Sequence, residues 1–275
     1  MSMLNLIRIE FYRALKNKML VIAIAIGCII SISHVLFVVF PLTQYLEESV
    51  NVGLLPHTVF NKWIGGETTS LPPTLFFILF PILACLPYAD TYYADKKNGY
   101  IKNILIRTKR INYYFAKFLA VFVTGGIAIL VPLLINLGMT ALILPSIIPD
   151  SSTGFFSIFA NSMWSDIYYS NPYLYIFMYL AIDFIFAGIF AVISLIFSDI
   201  VSNRFFVIIS PFTIYIFILS ISNLLGYHKY NPYIFLNPTQ QAVGITFQFL
   251  LCVIIIAVSF CFAFFLIKGK KSEIY

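Results

Sequence analysis

One carboxylate, Asp183, falls about eleven residues into the continuous apolar run Tyr173–Phe197. A charge at that depth is costly, so an acid there points to a functional role, whether meeting a substrate amine, relaying a proton, or hydrogen-bonding across helices. The plainer alternative is a neutral or water-paired Asp facing the inside of a helical bundle. Other reactive side chains form no constellation. His34, His57 and His228 are scattered without metal-ligand spacing. Ser194 and Ser210 lack a Gly-x-Ser context and a His on another apolar segment at similar depth, so neither is a nucleophile with a base. Gly269-Lys270-Lys271-Ser272 has neither the upstream Gly nor the Gly-Lys-Ser order of a phosphate-binding loop. No catalytic activity, metal or cofactor is expected of the chain itself. His34, Asn136 and Gln248 fit hydrogen bonds between packed helices, while Pro132 and Pro211 fall inside apolar segments that they are expected to kink.

The elements that must position these residues are hydrophobic. Of 275 residues, 61% are hydrophobic and 10% charged, where a soluble domain carries roughly 25% charged residues. Six stretches meet or approach the ~20 apolar residues that a spanning helix needs: 19–40, 73–88, 118–144, 173–197, 205–225 and 243–267. The second is the shortest and holds Pro81 and Pro87. The runs are continuous instead of alternating, which argues against a β-barrel. The expected architecture is an all-α integral membrane protein, a single domain over 1–275 with six transmembrane helices. The first apolar run lacks a small-x-small cleavage site and is expected to remain as a span. Cys28, Cys85, Cys252 and Cys261 all lie inside predicted spans and read as small core residues.

Charge sets the orientation. Fifteen of the 17 basic residues fall in segments 1–18, 90–117, 198–204 and 268–275, and only Lys62 and Lys229 fall elsewhere. Acidic residues Glu47, Glu48, Glu67, Asp150 and Asp166 mark the intervening loops. By the positive-inside rule both termini are expected inside. The net charge of +6 then reflects topology and anionic lipid headgroups, not nucleic acid. Within residues 1–18, Leu4, Ile7, Phe11 and Leu15 share one helical face, with Asn5, Glu10, Arg13 and Lys16 roughly opposite. An interfacial helix is expected there, carrying Arg8, Glu10, Phe11 and Arg13. The loops 42–72 and 145–172 are long, the latter with an Asp-Ser-Ser-Thr-Gly turn. Segment 226–242, with two Asn-Pro pairs and several aromatics, suits a re-entrant or interfacial hairpin.

The basic segment 90–117 contains its own short amphipathic pattern. Tyr100, Ile101, Ile104 and Leu105 form one stripe, and Lys102, Asn103 and Arg107 face away. Asn98 is a candidate N-cap and Gly99 allows the turn into the helix. Two turns of helix are unstable in water alone, so this element must rest on lipid, on its own membrane domain, or in a cleft of another protein. The bland alternative is a solvated linker.

Asp95, Gly99, Ile104-Leu105, Arg110, Tyr113-Tyr114 and Lys117 together resemble the first inner loop of the type-2 ABC transporter permease family. Glu10-Phe11-Tyr12-Arg13 before the first span is also similar, as is Asn237-Pro238-Thr239 ahead of the last, without the Arg that often follows. The resemblance implies six helices in the cytoplasmic membrane, pairing with a second permease, and a coupling helix over 98–107 (Asn98, Gly99, Tyr100, Ile101, Ile104, Leu105, Arg107) seated in a cytoplasmic ABC ATPase. ATP and Mg would then be bound by that partner. It further implies export, with an amphipathic cargo such as a peptide, an antibiotic or a lipid-like molecule. A non-transporting scaffold or sensor, and a proton-coupled carrier using Asp183, are the alternatives.

Overall fold

Asparagine opens four helices of this chain. The side chains of Asn17, Asn171, Asn203 and Asn231 accept hydrogen bonds from the backbone N–H groups of Met19, Leu174, Phe205 and Tyr233, groups that the first helical turn leaves without a partner. At Asn171 and Asn231 a proline follows, at the position where its missing N–H costs nothing. The two Asn-Pro pairs at 171 and 231 therefore start helices as well as turning the chain.

A computed structural model of the chain describes residues 3–45, 57–150, 158–201, 203–240 and 244–271. Regular structure among them is entirely helical. In order the helices are α1 (Met3–Leu15), α2 (Lys18–His34), α3 (Val59–Lys62), α4 (Leu71–Cys85), α5 (Thr91–Lys97), α6 (Tyr100–Leu105), α7 (Arg110–Ile143), α8 (Ser165–Ser170), α9 (Pro172–Ile200), α10 (Arg204–Leu224), α11 (Pro232–Phe235) and α12 (Phe247–Lys271). The path of α2 continues through a π turn, Val35–Val39, and 3-10 turns, Phe40–Tyr45. Pro41 has no N–H to offer the helical ladder, and the register changes beside it. Glu47, Glu48 and residues 151–154 of the predicted turn lie outside the described residues.

Among the described residues, five helical segments are long and apolar enough to cross a membrane: Lys18–Gln44, Arg110–Ile143, Pro172–Ser198, Arg204–Leu224 and Phe247–Phe264. The second expected span, 73–88, corresponds to a 15-residue helix, Leu71–Cys85. At 1.5 Å per residue it is about 22 Å long, short of a ~30 Å hydrocarbon layer. Pro72 and Pro73 are accommodated in its first turn, where no N–H is needed. Two other limits also move. The helix of the expected span 118–144 begins at Arg110, because Lys117 finds carboxylates inside the fold and need not stay outside. That of 243–267 begins at Phe247, after Gly244 at φ 89°. Of the expected hairpin 226–242, residues 226–240 are described and form a 3-10 turn and α11, with Phe235, Leu236 and Asn237 buried.

Helix α9 is the axis of the bundle: 72% of its spanning window is buried, against 11% for α12 at the periphery. Its partner α7 meets it through two reciprocal ring-on-glycine contacts. Phe184 of α9 covers Gly126, where an added Cβ would lie 2.4 Å from the ring; Phe122 of α7 covers Gly188, where the distance would be 2.6 Å. Glycine at both places lets a ring lie flat on a backbone. At neighbouring Gly125, a Cβ would lie 2.7 Å from the Cβ of Ala191 and 3.0 Å from the Ala84 carbonyl. Those atoms belong to two other helices and cannot step aside. Gly125→Ala is therefore expected to cost about 1–3 kcal/mol by overpacking and to lower the thermal midpoint of the detergent-solubilised protein. Gly138→Ala, which meets nothing within 4 Å, should be neutral or slightly stabilising. Equal melting of the two variants would contradict this three-helix approach.

Candidate functional site

Four charged side chains meet where α1, α5 and α7 converge. Lys117 of α7 is fully buried; its Nζ lies 2.9 Å from Asp95 Oδ2 and 3.2 Å from Glu10 Oε2. Arg13 of α1 closes the set, donating to Glu10 Oε1 at 2.8 Å and, as a fork, to Asp95 Oδ1 at 2.6 Å and Oδ2 at 3.2 Å. The Tyr88 hydroxyl donates to Glu10 Oε2 at 2.8 Å, and the Tyr113 hydroxyl sits 3.5 Å from Asp95 Oδ2. Two cations and two carboxylates make the group neutral overall, which allows it to be dry. Aromatic faces cover the cations: Tyr100 lies 4.1 Å below the Arg13 guanidinium, and Tyr88 lies 4.1 Å from Lys117 Nζ. Burial alone would lower the pKa of Arg13. The hydrogen bond to Asp95 and the charge of Glu10 outweigh it and hold the pKa above the usual range.

Helix geometry dictates who can join. Leu6, Glu10 and Ala14 recur at every fourth position and form the buried face of α1. The predicted polar face is thus corrected: Glu10 points into the protein, while Leu4 and Leu15 are exposed. Arg8 stays exposed and Phe11 packs against the core. The reason is that Lys117 and Arg13 together offer Glu10 a better environment than water at an interface does. Asn17 fastens the end of α1 by donating to the Pro87 carbonyl at 2.8 Å. Nearby, Arg204 at the start of α10 holds Asp90 at 2.5 Å.

Helix α6 hangs from this network. Gly99 precedes it at φ 72°, in the left-handed region. Asn98, expected as the N-cap, instead ends α5, its N–H bonding to the Ala94 carbonyl. Ile101 is buried in the protein's own core, Ile104 and Leu105 pack against it, and Tyr100 stacks on Arg13. The apolar stripe is therefore mostly turned inward, with Tyr100, Ile104 and Leu105 partly accessible. What α6 and its C-terminal turn present outward is Lys102, Asn103, Ile106 and Arg107, with Ile106 83% exposed. With Ile9, Tyr100 and Ile104, three of these four line a shallow groove between α1 and α6.

The opposite end of the bundle carries a second polar group. Asn136 of α7 accepts from Ile64 N–H at 2.8 Å, donates to the Ser31 carbonyl at 3.0 Å and lies 3.1 Å from His34 Nδ1. Glu67 accepts from the N–H and hydroxyl groups of Thr69 and Ser70, and His34 Nε2 lies 3.8 Å away. Burial pushes the Glu67 carboxyl up, but nearby His34 and the hydrogen bonds from Ser70 and Thr69 outweigh it and leave it well below the usual range. Asp183 belongs to neither group. It is fully buried on α9. Among the described residues, no three His, Cys, Asp or Glu side chains come together as a metal site. No family model, curated protein or solved structure matches the chain.

Sequence reasoning placed Glu10 and Arg13 on a lipid-surface helix and Asp95 and Lys117 in a loop motif, without joining them. The available signal was balance: two acids and two bases at the margins of apolar runs, with Glu10, Arg13 and Lys117 flanked on both sides by apolar or aromatic residues. Lys117→Met is expected to leave the two carboxylates facing Arg13 alone, at a cost of about 3–5 kcal/mol. Adding Glu10→Gln should recover most of that loss, read as the thermal midpoint in a double-mutant cycle. Additive losses would show that the four side chains do not act as one group. For Glu67 the folded-state pKa is depressed, so its stabilisation is complete above the ordinary value of 4.5 and is lost as pH falls through the folded value. Glu67→Gln should lower stability near neutrality and flatten the acid limb of a midpoint-versus-pH series. An acid limb as steep as in the parent chain would rule that role out.

Proposed function

We propose that the chain is the membrane-spanning permease subunit of an ATP-binding-cassette exporter in the cytoplasmic membrane, driven by a separate cytoplasmic ATPase that binds ATP and Mg. The observation that carries this is the mounting of α6. A two-turn helix is held at the basic end by an ion-pair network reaching α1, α5 and α7, and its outward side is a compact mixed surface of Lys102, Asn103, Ile106 and Arg107. A free linker needs no such clamp to satisfy charge topology. A helix that receives force does, because a push on it must reach the spans as a rigid-body displacement instead of being absorbed locally.

In this reading the basic end is cytoplasmic, with both termini inside. Six spans are α2, α4, α7, α9, α10 and α12. Helix α4 can serve despite its length because protein surrounds it: Phe76, Phe77, Phe80 and Leu83 are all buried, so its ends need not match the lipid thickness. Helix α1 lies in the inner headgroup layer, with Leu4 76% exposed on its outer side. A second permease completes the pathway, and the cargo is amphipathic, matched to a protein with 29 Phe and 18 Tyr.

Purification from native membranes should bring down a stoichiometric ATPase; its absence would favour a scaffold or sensor. Ile106→Asp alters the exposed tip of α6 without touching the core. Gly99→Pro forces φ near −65° where 72° is required. Each should cut ATP-driven transport in reconstituted vesicles at least tenfold while leaving membrane insertion intact. Normal transport by both would overturn the coupling role of α6.

A further inference from the structure

Three polar side chains follow one another along α9 at four-residue intervals, Tyr175, Tyr179 and Asp183, which places them on one face over about 12 Å. All three are buried, Tyr179 and Asp183 completely. Neither carboxyl oxygen of Asp183 receives a hydrogen bond, and the Tyr179 hydroxyl meets no partner at hydrogen-bond distance. Tyr179 nevertheless lies within electrostatic range of both its neighbours in the column. Tyr175 is anchored. Its hydroxyl donates to the Pro238 carbonyl at 2.5 Å and accepts from Gln240 Nε2 at 2.9 Å. A small cleft at that end is lined by Trp63, Gly65, Tyr168, Tyr175, Pro238 and Thr239.

Among the described residues, no countercharge faces Asp183. Within their apolar lengths, 71–85, 118–143, 205–224 and 247–267, the helices α4, α7, α10 and α12 contain no Lys, Arg, Asp or Glu. Helix α10 brings the Tyr215 hydroxyl into range, but that group donates to the Phe77 carbonyl at 2.9 Å. Cys85 of α4 is turned to the Phe190 carbonyl, and Cys261 of α12 lies toward the basic end. The charged residues of α3, α5 and α8 (Lys62, Asp95, Lys96, Lys97 and Asp166) sit beside the two ends of α9. An ionised carboxylate in such surroundings is prohibitively expensive, whereas the protonated acid is both tolerable and a hydrogen-bond donor.

We propose that Asp183 is a buried proton-binding site, connected to the end of the bundle opposite the basic face by the hydroxyls of Tyr179 and Tyr175. Each group lies one helical turn from the next, and a step passes when side-chain motion brings the carboxyl O–H to the Tyr179 oxygen and the Tyr179 O–H to the Tyr175 oxygen. A proton leaves Asp183 as the Tyr179 proton moves on to Tyr175 and the Tyr175 proton leaves through the cleft. The reverse shift reloads the acid, so every atom balances and no further reactant enters. The ligand is the proton because the carboxyl is wholly enclosed.

The test uses the full chain, purified into phospholipid vesicles with isotopically labelled aspartate, and needs no nucleotide or ATPase; its failure therefore leaves the exporter reading standing. The infrared carbonyl stretch of a protonated labelled carboxylic acid should be present near neutral pH and absent in Asp183→Asn. On transfer to heavy water, that band should shift at a rate slowed at least tenfold by Tyr179→Phe, which keeps the ring and removes the hydroxyl. A merely structural acid would exchange at a rate indifferent to that hydroxyl. If Asp183→Asn fails to fold, the labelled band of the parent chain and its exchange in Tyr179→Phe decide alone. Absence of the acid band from the parent chain, or equal exchange with and without the Tyr179 hydroxyl, would overturn the assignment.

Discussion

Lys117 cannot enter an apolar interior as an ammonium unless carboxylates accompany it, and here two do, from helices far apart in sequence. Glu10 comes from α1 and Asp95 from α5. Removing either partner from a buried set leaves an uncompensated charge, which is costlier than never having buried the set at all. The network therefore acts less as a source of net stability than as a positional constraint. Its charges are satisfied only when α1 lies across the start of α7 with α5 beside it. The early start of α7 at Arg110, the inward turn of Glu10 and the seating of Tyr100 beneath Arg13 all depend on that condition.

The constraint explains how so short a helix as α6 is ordered. Its six residues have too little intrinsic stability to persist alone. Arg13 holds Tyr100 from one side, Ile101 is drawn into the core, and Gly99 permits the reversal from α5. The result is an external surface with an internal frame. Tyr100 ties α6 to α1 through Arg13, and α7 locks onto α9 through Phe122 and Phe184. Closely packed elements of this kind move together or not at all.

The two ends and the middle of the bundle treat polarity differently. At the basic end, full charges pair. At the other end, Asn136, Glu67 and Gln240 satisfy backbone groups of the connecting segments, as Gln240 does for both N–H and C=O of Met163. Such bonds fix loops to spans where water is only partly present. Midway along α9, Asp183 has neither a cation nor a donor. A buried acid left so is stable only while it carries its proton, which ties its charge to the surrounding packing.

Composition, the apolar runs and the clustering of Lys and Arg were enough to determine a helical membrane protein, because hydrophobic length and charge placement act locally along the chain. The isolation of Asp183 was also legible, since no neighbouring run contains a basic residue at its depth. The stripe on α6 was visible, but not the surface it faces: periodicity reports that a face is apolar, not whether lipid, a partner or the chain's own core covers it. Only the tertiary structure decided that Glu10 points inward and that Asn98 ends one helix where it was expected to start the next. Each of those depends on a partner distant in sequence or on backbone geometry. A carboxylate goes where its cations are, and sequence order does not tell where helices bring them.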